Sequence, residues 1–138
     1  GISLRFATLY GMSPRMRWDL LPHDFAKRGV AGELHVFDGE ARRTFLHVED
    51  AARAITHLLH YDPAQHVLNV GTEANNVTKQ AVADRIQQLT GCRVIPSTGH
   101  DPDGRDYAVS YAAITETGWK ALHLFDLTPI VRWARVWR

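Results

Sequence analysis

The chain has 138 residues, 45% of them hydrophobic and 22% charged, with a formal net charge of +1. One domain with a real core fits that length. Near-neutrality gives no global attraction to nucleic acid or an acidic membrane, and a single cysteine excludes an internal disulfide.

No stretch is apolar for long enough to span a bilayer, and no secretory leader stands at Gly1, so the expected setting is reducing and cytoplasmic. Residues 2–10 carry Ile2, Leu4, Phe6, Ala7, Leu9 and Tyr10 with Arg5 as the sole charge, the composition of a buried strand. A loop follows, in which Arg15 and Arg17 either meet an anion or hydrate the surface. Residues 18–28 are expected to be helical, with Leu20, Leu21, Phe25 and Ala26 inward and Pro22 in the first turn. Gly29 is the expected C-cap, and Gly32 ends the connection. Residues 34–37 form a short strand closed by an Asp38-Gly39 turn.

Residues 42–48 alternate as a strand covered on both faces. Positions 51, 54, 55 and 58 then follow one helix face. Asp50 at the junction can cap free N–H groups of that helix. Arg43 at the strand's entrance suits a bidentate contact to an anion, or a surface ion pair. The helix ends near His60, with Asp62-Pro63 as the breaker. Residues 66–70 read as a strand closed by Gly71, and residues 75–78 offer several N-caps. The next helix runs through Ala81, Val82, Ile86 and Leu89 to a Gly91 C-cap. Cys92 opens a strand over 92–95 as a buried, inert thiol.

Residues 96–105, with Gly99, Pro102 and Gly104, form a polar loop of the kind that carries function. Tyr107, Val109 and Tyr111 alternate briefly, and a helical turn is expected over 112–117. Thr128-Pro129 reads as cap and N1 proline of a last helix. Its apolar side is Ile130, Val131, Trp133, Ala134 and Trp137; its mix of cations and aromatics up to Arg138 allows a nucleic-acid or membrane-surface contact, but near-neutral charge favours docked tryptophans and hydrated arginines. His57 and His60 are spaced i, i+3 with no Glu or Cys at a ligand spacing, so no metal site is expected. His47 reads as a packed or hydrogen-bonded histidine, since no nucleophile motif accompanies it.

The segment Arg43-Thr44-Phe45-Leu46-His47-Val48-Glu49-Asp50 resembles the R-x-F-hydrophobic-H-V-x-D motif of the NAD-dependent epimerase/dehydratase family, extended short-chain dehydrogenases acting on nucleotide sugars. Other segments are similar, in the same order: Leu4-Arg5-Phe6-Ala7-Thr8-Leu9-Tyr10-Gly11, the loop from Ser13-Pro14-Arg15, Leu34-His35-Val36-Phe37-Asp38-Gly39 and Leu68-Asn69-Val70-Gly71. Near the end, Asp103-Gly104-Arg105-Asp106-Tyr107 and Thr117-Gly118-Trp119 agree as well. The family's catalytic motifs are missing. None of Tyr10, Tyr61, Tyr107 and Tyr111 has a lysine four positions on, and no G-x-x-G-x-x-G joins a strand to a helix.

The resemblance therefore implies one domain, residues 1–138, similar to the C-terminal part of such an enzyme, with the dinucleotide-binding part absent. The implied fold is α/β, a partial Rossmann-like sheet edge plus a small α/β substrate-binding lobe. Phe6 and Ala7 would face NAD, most of whose site lies outside this sequence. Thr8 would face the sugar and His23 the substrate, both where many relatives carry asparagine. Val36 and Phe37 would pass beside the base, Arg43 would hold the diphosphate, and Arg105 with Asp106 would close over it. The implied partners are a nucleotide sugar and either the missing half or a second copy, with no nucleic acid and no membrane. Alone, the chain is expected not to turn over. The rival expectation is an inactive, shortened relative serving as a binding or oligomeric assembly module.

Overall fold

A computed structural model describes residues 1–61, 65–99 and 104–137. The expected breaker Asp62-Pro63, Asp103, Pro102 of the polar loop and Arg138 lie outside those residues. The first strand comes in two parts, β1 (Ser3–Phe6) and β2 (Thr8–Tyr10), with Ala7 between them. β1 pairs in parallel with β5 (Val67–Val70). At Ala7 the chain changes partner, and β2 pairs in parallel with β4 (Arg42–His47). β4 in turn pairs antiparallel with a short β6 (Asn76–Thr78), a strand the sequence does not announce. A separate parallel pair joins β3 (Glu33–Val36) to β7 (Arg93–Pro96).

Helices α1 (Leu21–Ala31), α2 (Val48–Leu58), α3 (Lys79–Thr90), α4 (Ala112–Glu116) and α5 (Thr128–Val136) pack on this frame. One core gathers Phe25, Leu34, Phe45, Val82, Ile86 and Ile130, joining α1, α3 and α5 to β3 and β4. A second gathers Leu46, Ala54, Leu68, Tyr111, Ile114 and Trp119 around α2, α4 and β5. β4 is the wall between them. Arg43, Thr44, Phe45 and Leu46 are all buried, as expected of a strand covered on both faces. The first strand is different: Phe6 and Leu9 are exposed, and only Ala7 and Tyr10 are buried. Ser3–Phe6 has a partner on one side only among the described residues.

Three helix boundaries depart from the sequence reading. α1 begins at Leu21 and runs through Gly29 to a left-handed cap at Gly32, φ 109°. Gly29 is not a stop signal but a contact. A Cβ there would stand 2.3 Å from Cγ2 of Ile86 on α3, so the glycine lets the two helices close. At α5, Thr128 lies inside the helix rather than capping it; Asp126 Oδ1 accepts its N–H at 2.9 Å. At α2 the cap is His47, whose Nδ1 accepts the Glu49 N–H at 3.3 Å. Asp50 is turned elsewhere. It is fully buried and accepts the amides of Leu122 and His123 and a guanidinium N–H of Arg53. Burial, the largest influence, pushes its carboxyl up, but those donors outweigh it and hold it below the usual range.

Candidate functional site

β4 carries Arg43 and Phe45 on the face toward α1 and α3, since side chains alternate along a strand. Parallel register sets Thr8 opposite Phe45. With α1 across from them, β3 beside them and the start of α3 below, these residues bound a cleft of about 420 Å³. Its lining includes Thr8, Leu21, Asp24, Arg28, Phe37, Arg43, Lys79 and Arg105. Arg28 is paired within α1 to Asp24 at 2.9 Å. At the rim, Asp19 is held by Arg17 at 2.5 Å, a bond that lowers its carboxyl to about 2. Arg43, Lys79 and Arg105, from three separate segments, add basic side chains to the same lining.

Arg43 is 3% exposed. Its Nη1 donates to the carbonyls of Arg42 and Arg105, and its guanidinium lies 6.0 Å from the centroid of the Tyr107 ring. It is thus a buried arginine, not one of the surface. One guanidinium nitrogen fixes the polar loop by its backbone, at the residue whose own side chain lines the same cleft. Asp106 pins the loop from the other side. Its Oδ1 accepts the Arg42 N–H at 2.9 Å and faces Arg42 Nε at 3.4 Å. That backbone bond first, with the Arg42 guanidinium after it, lowers its carboxyl. Asp106 therefore acts on loop position and is not among the residues lining the cleft.

The other expected site residues sort by where their side chains go. Thr8 and Phe37 line the cleft. Val36 is 3% exposed and packs in the first core, so only its backbone could pass beside a ligand. His23 is buried with both ring nitrogens in use: Nδ1 faces the Arg17 carbonyl at 2.8 Å, and Nε2 accepts the Gly11 N–H at 3.4 Å. Those partners require a neutral ring with its proton on Nδ1, and burial, above all, lowers its pKa. Ala7 is buried in the second core, while Phe6 is 37% exposed. The residues here do not fit a dinucleotide: of this pair only Phe6 is open, and no glycine-rich strand-to-helix turn is present to cradle a pyrophosphate.

Lys79 is the residue the sequence reading passed over. It is 1% exposed, follows the cap Thr78, and its Nζ donates to the Phe37 carbonyl at 3.4 Å. The signal was present: positions 79, 82, 83 and 86 form the buried stripe of α3, and the first of them is a lysine. A cation on a core-facing stripe points to a polar cavity beneath it.

The family model described as NAD dependent epimerase/dehydratase matches residues 1–71. Among solved structures, the chain is similar to a dTDP-glucose 4,6-dehydratase from Bacillus anthracis str. Ames in complex with NAD. The identity is 28% and the TM-score 0.77, over 96% of this chain and 43% of the other. It is also similar to a UDP-glucose 4-epimerase with UDP-glucose from Thermotoga maritima, at 26% identity and a TM-score of 0.79, over 96% of this chain and 45% of the other. A third likeness, at 27% identity and a TM-score of 0.75 over 96% and 46%, is to MoeE5 in complex with UDP-glucose and NAD. The chain thus spans less than half the length of the structures it matches. Among the described residues no helix is long and apolar enough to cross a membrane.

Proposed function

This chain belongs to the NAD-dependent epimerase/dehydratase family, and from that premise we propose that it is the portion that holds a nucleotide-diphospho-sugar. The observation that carries the reading is the meeting of Arg43 and Arg105 at one cleft, although 62 positions separate them. A diphosphate offers two anionic groups, and guanidinium forks meet such groups with paired N–H donors. Lys79 adds a point charge on the same side. Phe37 supplies an apolar surface for the base, and Thr8 a hydroxyl for the sugar end. Asp106 positions the loop, and the Val36 backbone runs beside the base. His23 serves by holding the Gly11 and Arg17 backbone together beneath the site.

NAD belongs to the family reading, and relatives are seen with it. On this proposal the redox step depends on polypeptide other than these residues, and the isolated chain binds sugar nucleotide without turning it over. The one-sided pairing of Ser3–Phe6 suits a further parallel strand brought by that polypeptide.

Calorimetric titration with UDP-glucose is the test. We expect saturable binding at one site, weakened by about tenfold to a hundredfold in Arg105→Ala, the worth of a hydrogen bond to a charged group of about 1.5–3 kcal/mol. Unchanged affinity in that variant would remove the clamp.

A second reading has an observation of its own. Phe6, Leu9 and Val67 are 36–45% exposed along the open part of the sheet, and such a surface favours association of two copies. On that reading the chain is a binding or assembly module. A stable oligomer in sedimentation together with no heat from UDP-glucose would favour it.

A further inference from the structure

At the end of β4 remote from Arg43, three side chains from two segments crowd together. His47 closes the strand, Glu49 stands in the first turn of α2, and His123 lies in the segment ahead of α5. One ligand atom from each lies within 4.8 Å of the others. His123 Nε2 stands 3.2 Å from Glu49 Oε2, a spacing that two neighbouring ligands of an ion bound at roughly 2.0–2.2 Å would have. Behind His123, the Oδ2 of fully buried Asp50 lies 3.2 Å from Nδ1. That Nδ1 is itself buried and makes no hydrogen bond in the present ring orientation. A carboxylate behind the ring nitrogen that faces away from an ion orients a histidine ligand and raises its basicity.

We propose that His47, Glu49 and His123 form a site for a borderline divalent cation, Zn2+ above all, with Asp50 as the positioning carboxylate. Two imidazoles and one carboxylate with an open fourth position suit Zn2+, whereas Ca2+ and Mg2+ take oxygen ligands. The site is distinct from the nucleotide-sugar cleft and does not rest on it. Arg43 and His47 are four positions apart on one strand, roughly 13 Å at 3.3 Å per residue.

The two rings now stack, with centroids 4.2 Å apart and planes 19° from parallel. Parallel rings cannot both aim a lone pair at one point. Glu49 and His123 therefore meet the ion first, and a turn of the His47 side chain completes the set. That turn releases the 3.3 Å bond from the Glu49 amide, the stacking on His123 and the edge contact with the Tyr10 ring. The bound ion would tie the segment before α5 to the β4–α2 corner, a junction now held by the amide bonds to Asp50.

Calorimetric titration of the whole chain with ZnCl2 alone tests this. Glu49 is 70% exposed, so Glu49→Gln leaves the packing in place. One equivalent should bind, with affinity falling about tenfold or more in Glu49→Gln, a loss at least as large as removal of an outer-shell partner brings. Co2+ should give the visible absorption of a tetrahedral site in wild type and in the His57→Ala, His60→Ala double variant, and none in His123→Gln. No saturable uptake, unchanged affinity in Glu49→Gln, or loss of the Co2+ spectrum in the double variant would each overturn the site.

Discussion

His23 is a side chain whose protonation the fold controls. Burial lowers its pKa, and its two ring nitrogens are matched to a neutral ring. The unfolded chain binds that proton near the ordinary value of 6.5, so the unfolded state carries more protons below it. The contribution of His23 to stability is then fully present above about pH 6.5 and is lost as pH falls through that value toward the lower folded pKa. Urea midpoints at about pH 7.5 and about pH 5 should diverge in wild type and do so less in His23→Gln; an equal shift in both would contradict the buried neutral ring. Arg43 differs from Arg105 in the same spirit. Arg43 is buried and holds the Arg105 carbonyl, whereas the Arg105 side chain is exposed. Arg43→Ala should therefore lower stability by about 1–3 kcal/mol besides weakening ligand, because it removes a buried side chain and its charged donor to the partly buried Arg105 carbonyl. Arg105→Ala, at an exposed side chain, should weaken ligand with a smaller loss of stability than Arg43→Ala. Thermal melting of the two variants separates these roles.

At the scale of elements, the approach of α1 to α3 is set by one missing methyl. Gly29→Ala would ordinarily favour a helix by about 1 kcal/mol. Here the added Cβ meets the fully buried Ile86 at 2.3 Å, and overpacking of that kind costs about 1–3 kcal/mol. A net loss of stability is expected in chemical denaturation, and a gain would show that the helices have room to part. This glycine also shows why α1 was read as ending early: a glycine that stops a helix and one that admits a neighbour look alike in sequence. Periodicity, by contrast, gave α2 and α3 and the covered strand β4 within a few residues, since their patterns are local. The turn of Asp50 toward Leu122 and His123 was not legible, because its partners lie 72 and 73 positions away. Lys79 was legible in principle, as a charge on an apolar stripe.

For the molecule as a whole, family motifs placed Arg43 and Arg105 in one reading before any fold was known, and the fold sets both against one cleft. The motifs could not tell that Val36 and Ala7 turn their side chains into cores, since burial is decided by what packs above a strand. They also could not show that the first strand changes partner at Ala7 and leaves Ser3–Phe6 paired on one side. That division orders the molecule: the core around α1, α3 and α5 backs the cleft, and Ser3–Phe6 on the other side is paired along one edge among the described residues.

The account stands most directly on where a nucleotide sugar sits. A crystal structure of the chain soaked with UDP-glucose should show the diphosphate between the guanidinium groups of Arg43 and Arg105, with the base along Phe37. Density for the diphosphate elsewhere, with that cleft filled by water at saturating ligand, would contradict it.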